Sequence, residues 1–519
     1  MILYSEYIIS EGTPLFTGVC LPEKEGKFPV VIYRSPYVDD NEELTDEDAV
    51  NKIYEENKYW VDAGYAVVYQ HCRGAGKSKG DCIPYIYERE DGLNLHQWVR
   101  QQPFYNGEIY LHGISYTAAV HYVTAPFAPD IKGMVLEVKQ TDRYGCNYRN
   151  GFYKMALHGG WFVNMYKRNQ HVTKYFAPET YNTLPLIDFS EIVFSEKCEA
   201  FDQILLHPEK DDPFWDTRLG GVEARDAIQN ANIPILLTSG FYDVFLDGMF
   251  DMWKKLDPET KAKSAFVVDP YDHGRRPEGQ PICHPGGVMA EHFKDYVLNW
   301  VEAIRGKRDF QFERGKVTYY KLYGDEWCCD DWKQPEKFVD VPIGKGWGER
   351  TYRYNPYAPS TFRAALTQGF GGTAHQDPPN FRSDILNYYT DEFTEDVFIK
   401  GKMSAKVRVK SDCEDTCFYM RISLHTPTGD YGLRDDITKL SNFDPDYVPG
   451  TPIDITFEFD DVATLVRKGW RIRVDIASAN FPHFVRHTNL KGPFALQKGC
   501  KIANNTVDFD NFVLRYYYE

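Results

Sequence analysis

The 519-residue sequence predicts an α/β fold that is interrupted by a helical insertion and followed by a β-sandwich of the jelly-roll kind. Three observations support this prediction. Buried strand-like runs alternate with helical patterns near the N-terminus, the alternation stops in the middle of the chain, and short β-rich runs recur in the last third. We therefore assign residues 1–140 and 231–309 to the two parts of the α/β core, 141–230 to a helical cap, and 310–519 to the sandwich.

The first part of the core is predicted from strands that are separated by helices. Apolar runs at 28–33 and 65–70 indicate buried strands, and helical patterns at about 48–63 and 88–101 follow them in turn. Strands connected through helices form parallel sheets with crossovers. This part of the chain is therefore expected to contain a parallel sheet.

The rest of the chain continues and then leaves this pattern. Residues 131–137 indicate one more strand, after which the cap region carries aromatic residues and helical stretches without strand alternation. Strands return at 233–240 and 264–269, and a helix at about 287–304 closes the core. The last third has short β-rich runs, such as 405–410, that are separated by turn residues, a pattern typical of a jelly roll.

Composition limits the partners and the compartment. The formal net charge of −17 and the pI of about 5.4 argue against nucleic acid or an anionic membrane as the main partner. The N-terminus lacks a secretory pattern, and no apolar run approaches the ~18 residues of a membrane span. The eleven cysteines are odd in number and scattered, without a zinc-ligand pattern. We expect a cytoplasmic protein without metal or other cofactor, and the sequence leaves a homodimer open.

The most informative stretch is 109–122, which predicts a strand, a sharp turn and a helix. Ser115 lies at the turn. A serine on a tight strand-to-helix elbow projects its hydroxyl from the sheet edge, and the next backbone N–H points toward the same space. Hydrolases expose a nucleophile in this way. The alternative is an ordinary serine that caps a core helix.

A second serine matches the letters of the nucleophile motif better. Residues 76–80 read Gly-Lys-Ser-Lys-Gly, a complete G-x-S-x-G around Ser78, whereas residues 113–117 lack the second glycine. Ser78 has no helix directly behind it, and its two flanking lysines are typical of a solvated loop. The structural context therefore favours Ser115 over Ser78.

A serine nucleophile needs a histidine base and a carboxylate that orients it. In hydrolases of this type the carboxylate and the histidine follow the serine in that order, each just past a later strand. Asp243 directly follows the strand at 233–240, and His273 directly follows the strand at 264–269. Asp243 could instead cap the next helix. The rival acids and bases are Asp247, Asp272, His112 and His121, which fit the expected chain order or loop position less well.

Acyl transfer also requires hydrogen-bond donors for the oxyanion. The backbone N–H of Tyr116 follows from the elbow itself. The Tyr37 hydroxyl is the natural second donor because its loop follows an early strand of the sheet. From the residues alone, Tyr37 could equally be a packing residue.

These residues together resemble the cocaine esterase family of α/β-hydrolases, which also includes α-amino-acid ester hydrolases, cephalosporin acylases and X-prolyl dipeptidyl aminopeptidases. The resemblance runs almost end to end and is carried by several segments: 34–37 (Arg-Ser-Pro-Tyr), 73–80, 102–107, 113–116, 241–245, 270–273, 324–327 and 477–482. It implies an α/β-hydrolase core with an inserted helical cap and a C-terminal β jelly-roll domain, and an active cleft where the three meet. It also implies that Tyr37 is an oxyanion donor.

The sequence departs from the family pattern at three places. His71 stands where an aspartate is usual, and Asn94 where a second helix aspartate is common, which is expected to loosen a structural ion pair. Thr117 and Ala118 replace a smaller or glycine-containing pair after the nucleophile segment. This last change is expected to crowd the elbow.

We therefore predict a serine hydrolase that cleaves small acyl esters or amides through a covalent acyl-enzyme. Phe245, beside the acid, and Trp161, in the cap, are the candidates for walls of the acyl pocket. One rival is an aminopeptidase or acylase that holds a free substrate amine with a cap carboxylate. The other is a non-catalytic carbohydrate-binding protein that uses the jelly roll.

Overall fold

The computed structural model describes residues 1–23, 25–41, 43–170, 174–274, 284–363 and 373–519. Up to residue 330, the strands of these residues are β1 (Ile2–Ser10), β2 (Thr13–Leu21), β3 (Phe28–Ser35), β4 (Ala66–His71), β5 (Tyr105–Ile114), β6 (Ile131–Glu137), β7 (Tyr148–Arg149), β8 (Phe152–Tyr153), β9 (Ile235–Tyr242), β10 (Ala265–Asp272), β11 (Val317–Lys321) and β12 (Glu326–Asp330).

Ten of these strands form one sheet in the order β1-β2-β4-β3-β5-β6-β9-β10-β11-β12. Neighbours from β4 to β11 run parallel, and the outer pairs are antiparallel. Strands β3, β9 and β10 are buried along their whole length. Complete burial follows because helices cover both faces of a parallel sheet. The carboxyl ends of β5, β9 and β10 therefore lie along one edge.

The helices separate the strands and form the cap. They are α1 (Asp46–Asp62), α2 (Glu88–Arg100), α3 (Tyr116–Tyr122), α4 (Arg143–Asn147), α5 (Gly160–Met165), α6 (Phe189–Phe194), α7 (Glu199–Leu206), α8 (Leu246–Lys255), α9 (Pro258–Lys263), α10 (Met289–His292) and α11 (Tyr296–Ile304). Thr45 and Asp48 form a reciprocal capping box at the start of α1. The single helix predicted at 287–304 is broken into α10 and α11, because Asp295 between them has a left-handed backbone with φ of 52°.

The C-terminal region consists of β-strands that share one core. They are β13 (Phe338–Pro342), β14 (Glu349–Tyr354), β15 (Leu386–Tyr389), β16 (Val397–Gly401), β17 (Ser404–Ser411), β18 (Cys417–Thr426), β19 (Gly429–Lys439), β20 (Ile453–Glu458), β21 (Val462–Val466), β22 (Arg471–Ala477) and β23 (Ala503–Tyr517). A five-stranded and a four-stranded sheet contribute to the same buried cluster. The architecture confirms the predicted fold class, an α/β core followed by an all-β domain.

The boundary predicted at residue 310 differs from the observed pairing. Strand β11 pairs in parallel with β10, and β12 pairs with β11, so the large sheet continues to Asp330. The prediction assigned this β-rich stretch to the sandwich. Short β-rich runs look alike in sequence whichever sheet they join, and only the pairing separates them.

Contacts of two kinds join the core, the cap and the all-β domain. One continuous hydrophobic cluster includes residues of all three regions. In the β7–β8 hairpin, the Arg149 guanidinium donates to Asp436 at 2.8 Å and to Asp460 at 2.7 Å. The ring of Trp332, which follows β12, stacks on Phe250 of α8 with centroids 4.6 Å apart. No helix among the described residues has both the length and the apolar character needed to cross a bilayer.

A chain that ends at Lys307 is expected to be insoluble or inactive. The truncation removes β11 and therefore exposes the edge of β10, and it uncovers apolar surface such as the Phe250 ring. The measurement is the soluble yield of the fragment and its kcat/KM beside the full chain. A soluble fragment with full kcat/KM would contradict the dependence of the core on the C-terminal region.

Candidate active site

The chain turns sharply between β5 and α3, and Ser115 is the residue at the turn. Its backbone angles are φ 57° and ψ −121°, a strained combination for a residue with a side chain. Gly113 makes the turn possible, because a Cβ at that position would come within 2.1 Å of the Thr117 carbonyl oxygen. The strand–turn–helix geometry therefore presents the Ser115 hydroxyl at the carboxyl edge of the sheet.

The Thr117 side chain is hydrogen-bonded within the turn. Its hydroxyl accepts a hydrogen bond from the Ile114 N–H at 2.5 Å and donates to the Ile114 carbonyl at 2.7 Å. The backbone carbonyl of Thr117 comes close to Gly113, which has no side chain to clash with it. Thr117 thus provides a side-chain brace at the position where the related pattern has a smaller residue.

His273 connects the serine to a carboxylate. Its Nε2 lies 3.0 Å from the Ser115 Oγ, and its Nδ1 lies 2.9 Å from Asp243 Oδ1. Asp243 directly follows β9 and His273 directly follows β10, while Ser115 directly follows β5. Since these strands are parallel, their carboxyl ends bring three residues that are far apart in sequence to one place.

Asp243 is held in position by two further hydrogen bonds. The Ser239 hydroxyl donates to Oδ2 at 2.6 Å, and the Phe245 N–H donates to Oδ1 at 3.2 Å. Burial alone would raise the pKa of Asp243, but the adjacent His273 ring and these hydrogen bonds outweigh burial, and the pKa lies below its ordinary value. The carboxylate is therefore ionised and can accept a hydrogen bond from the His273 Nδ1–H group.

The rival acids and bases have other partners. Asp247 forms ion pairs with Arg149 and Lys402 at 3.4 and 3.1 Å. The His112 ring lies between Tyr33 and Glu137, and His121 contacts the His112 carbonyl oxygen at 3.0 Å. These three residues thus belong to other hydrogen-bond and ion-pair networks.

Ser78 is buried, so its predicted position on a solvated loop is wrong. Its hydroxyl donates to the His71 carbonyl at 2.7 Å and accepts from the Phe16 N–H at 2.9 Å. Both bonds join the loop to neighbouring backbone, and the residue has no accessible surface. The flanking lysines indicated exposure, but the side chain between them points inward. Ser78 is a structural residue.

The two predicted oxyanion donors lie next to Ser115: Tyr116 follows it in sequence, and the Tyr37 side chain interacts with it. The N–H of Tyr116 is the first of α3, so it has no acceptor within the helix. The Tyr37 hydroxyl accepts a hydrogen bond from the Trp161 indole N–H at 3.1 Å. Tyr37 is 45% exposed as a residue, and desolvation of its hydroxyl by the groups packed around it raises the pKa to about 12, with the side chains of Trp161 and Ser115 acting in the opposite sense. Tyr37 is therefore protonated at neutral pH and can donate.

Both residues predicted as pocket walls lie beside these groups. The Phe245 ring centroid is 5.3 Å from that of His273. Trp161, on α5, packs against Tyr116 at 5.6 Å and against Tyr85 at 5.7 Å. The cap thus brings an indole ring next to Tyr37 and Tyr116, and the loop after β9 brings a phenyl ring next to His273.

Sequence reasoning missed several residues near this site: Tyr85, Lys139, Arg143 and His158. Lys139 directly follows the Val138 turn after β6, so the rule that located Asp243 and His273 could also have located it. Tyr85 has a positive φ of 69° on an irregular loop, and no sequence pattern indicated that it lies near the site. Among the residues that the structure describes, no group of three or more His, Cys, Asp or Glu side chains could hold a metal ion.

Comparison with known families places this geometry in context. Residues 11–275 match the model of the X-Pro dipeptidyl-peptidase (S15) family. That segment is more than half of the chain and contains Ser115, Asp243 and His273. The chain belongs to the S15 family. Residues 346–499 match the C-terminal non-catalytic domain of the X-Pro dipeptidyl-peptidases, in agreement with the all-β region.

Individual relatives of the S15 chain include esterases and an aminopeptidase. It is 22% identical to the cocaine esterase of Rhodococcus sp. (strain MB1 Bresler), over 95% of this chain and 94% of the relative. An aminopeptidase from a marine sediment Thaumarchaeota archaeon shares the fold at 18% identity with a TM-score of 0.82, over 100% of this chain and 96% of the other. An α-amino acid ester hydrolase shares it at 16% identity with a TM-score of 0.79, over 100% and 96% of the two chains. The predicted family is confirmed, and the chain is a serine hydrolase.

Proposed function

We propose that this enzyme cleaves small acyl esters or amides through a covalent intermediate on Ser115. The observation that carries the proposal is the unbroken chain of contacts from the Ser115 Oγ to His273, at 3.0 Å, and from His273 to Asp243, at 2.9 Å. A serine hydroxyl becomes a nucleophile when a base of this kind can take its proton. The family match supports the same chemistry.

In the first half of the reaction, Ser115 attacks the substrate carbonyl while the His273 Nε2 takes its proton. The negative charge that develops on the carbonyl oxygen is stabilised by the Tyr116 N–H and the Tyr37 hydroxyl. His273 then gives the proton to the leaving alcohol or amine, and an acyl-enzyme remains. Asp243 holds the Nδ1–H tautomer and stabilises the imidazolium.

In the second half, water replaces the leaving group. His273 takes a proton from the water as it attacks the acyl carbonyl, and the same two donors stabilise the new tetrahedral intermediate. His273 then returns the proton to the Ser115 Oγ. The carboxylic acid product leaves, and the free enzyme is restored.

The Tyr37→Phe variant is expected to lower kcat by about 10²–10³ with little change in KM, because one oxyanion donor is lost while the ring remains. Steady-state kinetics on a neutral ester measures both constants. The Tyr37 hydroxyl also accepts from Trp161, so the melting temperature is measured beside them. An effect on KM alone would assign Tyr37 to substrate packing.

The family match supports a second candidate, an aminopeptidase or acylase that acts on amides. Such an enzyme would hold the free substrate amine with a carboxylate in the cap. A panel of neutral esters and aminoacyl 4-nitroanilides separates the two functions. Our proposal expects faster turnover of the neutral esters, and faster turnover of the aminoacyl compounds would replace it with the second candidate.

A non-catalytic carbohydrate-binding function is the least supported alternative. A binding protein has no need of a serine, a histidine and a buried carboxylate in hydrogen-bonding order. Small-molecule substrates as the main partners, without nucleic acid or membrane, and a homodimer remain predictions from the sequence.

A further inference from the structure

Two buried cations lie next to the active site and are not used by the triad. Lys139 and Arg143 follow β6, which lies between the nucleophile strand β5 and the acid strand β9. They are 3% and 8% exposed. The loop that carries them therefore places two desolvated positive charges at the carboxyl edge of the sheet, the edge that also carries Ser115 and Asp243.

Neither cation has a carboxylate partner among the described residues. The Lys139 ammonium donates to the Tyr85 hydroxyl at 3.1 Å and to the Cys146 Sγ at 3.4 Å, which leaves one of its three N–H groups without an acceptor there. The Arg143 guanidinium stacks on the Tyr85 ring at 3.8 Å, and its buried Nε has no hydrogen-bond partner. Both charges are thus left uncompensated within the described part of the chain.

Several other buried cations of this protein are neutralised by carboxylates. Arg34 pairs with Glu88 at 2.8 Å, Arg73 pairs with Asp91 at 2.6 Å, and Lys400 pairs with Asp330 at 2.6 Å. Burying a charge without a counter-ion is costly, and a fold whose formal net charge is −17 has many carboxylates that could serve. Buried Arg434 has no ion pair among the described residues either, but its guanidinium donates to the carbonyls of Leu433 and Asp461. The buried Arg143 Nε has no such acceptor, and this contrast supports a ligand-binding role.

The surrounding contacts connect the cations to the groups that line the catalytic site. The Lys139 ammonium lies 4.3 Å from the centroid of the Phe245 ring, which also packs against His273. The Tyr85 ring packs on Tyr116 with centroids 4.6 Å apart. The positive charge of Lys139 also acts on the Tyr37 hydroxyl, where it opposes the rise in pKa caused by burial. The cations thus lie beside aromatic residues that adjoin the triad and the predicted acyl pocket.

A buried histidine lies beside the same residues. His158 lies on the π-helical turn before α5, and its ring is 6.0 Å from that of Phe245. Burial lowers the pKa of His158 well below its ordinary value, and the charges of Lys139, Lys154 and Arg143 act in the same sense. Lys154 differs from the other two because its ammonium donates to the Gly145 carbonyl at 2.7 Å. Lys154 is thus anchored to the backbone of α4, whereas Lys139 and Arg143 both contact Tyr85.

We propose that Lys139 and Arg143 bind a carboxylate at the far end of the substrate's acyl group, so that the enzyme prefers monoesters or monoamides of dicarboxylic acids. This proposal rests on the proposed function, because it assigns the substrate class of the same acyl pocket. A carboxylate supplies the missing counter-charge and accepts hydrogen bonds from both side chains, and the arginine offers a planar pair of donors.

The same two charges disfavour the substrates of an aminopeptidase. A free ammonium group at this end of the pocket would face Lys139 and Arg143 without a described carboxylate to receive it. Repulsion between like charges is strong where water is excluded. The enzyme is therefore expected to discriminate against an amine at the position where it accepts a carboxylate.

The first experiment compares substrates on the wild-type enzyme. Monoethyl succinate, glutarate and adipate are compared with ethyl esters in which a carboxamide replaces the free carboxylate, so that the shape is nearly the same but the charge is absent. Ethyl 4-aminobutyrate is included as a substrate with a free amine. Ethanol release is followed at about 0.15 M salt, which screens the overall negative charge of the protein. We expect kcat/KM for the best monoester to exceed that of its carboxamide by about 10- to 100-fold.

The second experiment removes the charges. Lys139→Met and Arg143→Met keep a long apolar side chain, and each is expected to reduce the carboxylate-to-carboxamide ratio of kcat/KM about tenfold or more. Lys167→Met is the matched control, because its ammonium is already paired with Glu196 at 2.6 Å elsewhere in the cap. The control should keep the wild-type ratio. A purely structural role of Lys139 would lower the rates of both substrates together and leave the ratio unchanged.

Failure of this inference can be told apart from failure of the proposed function. Fluorophosphonate labelling and hydrolysis of neutral esters report on the triad alone. If both are present but the carboxamide ester is cleaved as fast as the monoester, the carboxylate site is refuted and the hydrolase function stands. If neither is present, the proposed function itself fails. The wild-type comparison decides the point even where a variant does not fold.

Discussion

Replacing Ser115 with alanine is expected to abolish detectable turnover while the melting temperature stays at the wild-type value. The loss of a nucleophilic serine lowers kcat by about 10⁶-fold, because only the oxyanion donors and substrate binding remain. The Ser115 side chain does not cap α3, and alanine can occupy the same strained turn at no greater cost. Ester hydrolysis and thermal unfolding measure the two quantities.

The matched control is Ser78→Ala, at the serine that has the complete motif. It should keep wild-type kcat but lower the melting temperature. The reason is that the buried Phe16 N–H loses its acceptor, which costs about 1–3 kcal/mol of folding free energy. The opposite result, with turnover lost in Ser78→Ala and kept in Ser115→Ala, would show that Ser78 and not Ser115 is the nucleophile.

The Asp243→Asn variant is expected to remain folded and to lose about four orders of magnitude in kcat. The amide can keep the position of the side chain, but its NH₂ group favours the His273 tautomer that cannot take the serine proton. Steady-state kinetics on a neutral ester measures the change. The substitution also removes the negative charge that stabilises the imidazolium form.

Asp272→Asn is the control for this substitution. Asp272 adjoins His273 in sequence, and its carboxylate accepts from the Gly274 N–H at 3.0 Å. The control is expected to keep kcat within about tenfold of wild type, as is usual for a group outside the reacting chain. The assignment of the acid would be wrong if Asp243→Asn kept this level of activity and Asp272→Asn lost it.

The sequence could locate the triad because simple topology controls it. Ser115, Asp243 and His273 each come directly after a buried strand, and parallel strands end at the same edge of a sheet. Residue type and chain order then suffice to choose the three residues. Tyr37 could be located in the same way, since its loop follows β3.

The sequence could not locate features that depend on distant packing. The lysines beside Ser78 indicated exposure, but the turn directs the serine hydroxyl to the backbone of β2. Strands β11 and β12 resemble sandwich strands until their pairing with β10 is seen. The isolation of Lys139 and Arg143 from carboxylates depends on how the cap and the sheet come together, which no local pattern records.

The most direct test of the proposed mechanism is to find the serine that reacts with a fluorophosphonate. The reagent modifies a serine whose proton can be taken by a base and whose oxyanion is stabilised. The intact enzyme is labelled, digested, and its peptides are mapped by mass spectrometry. We expect one adduct per chain, on the peptide that contains Ser115. An adduct on the peptide that contains Ser78 would contradict the assignment of the nucleophile, the triad and the oxyanion donors together.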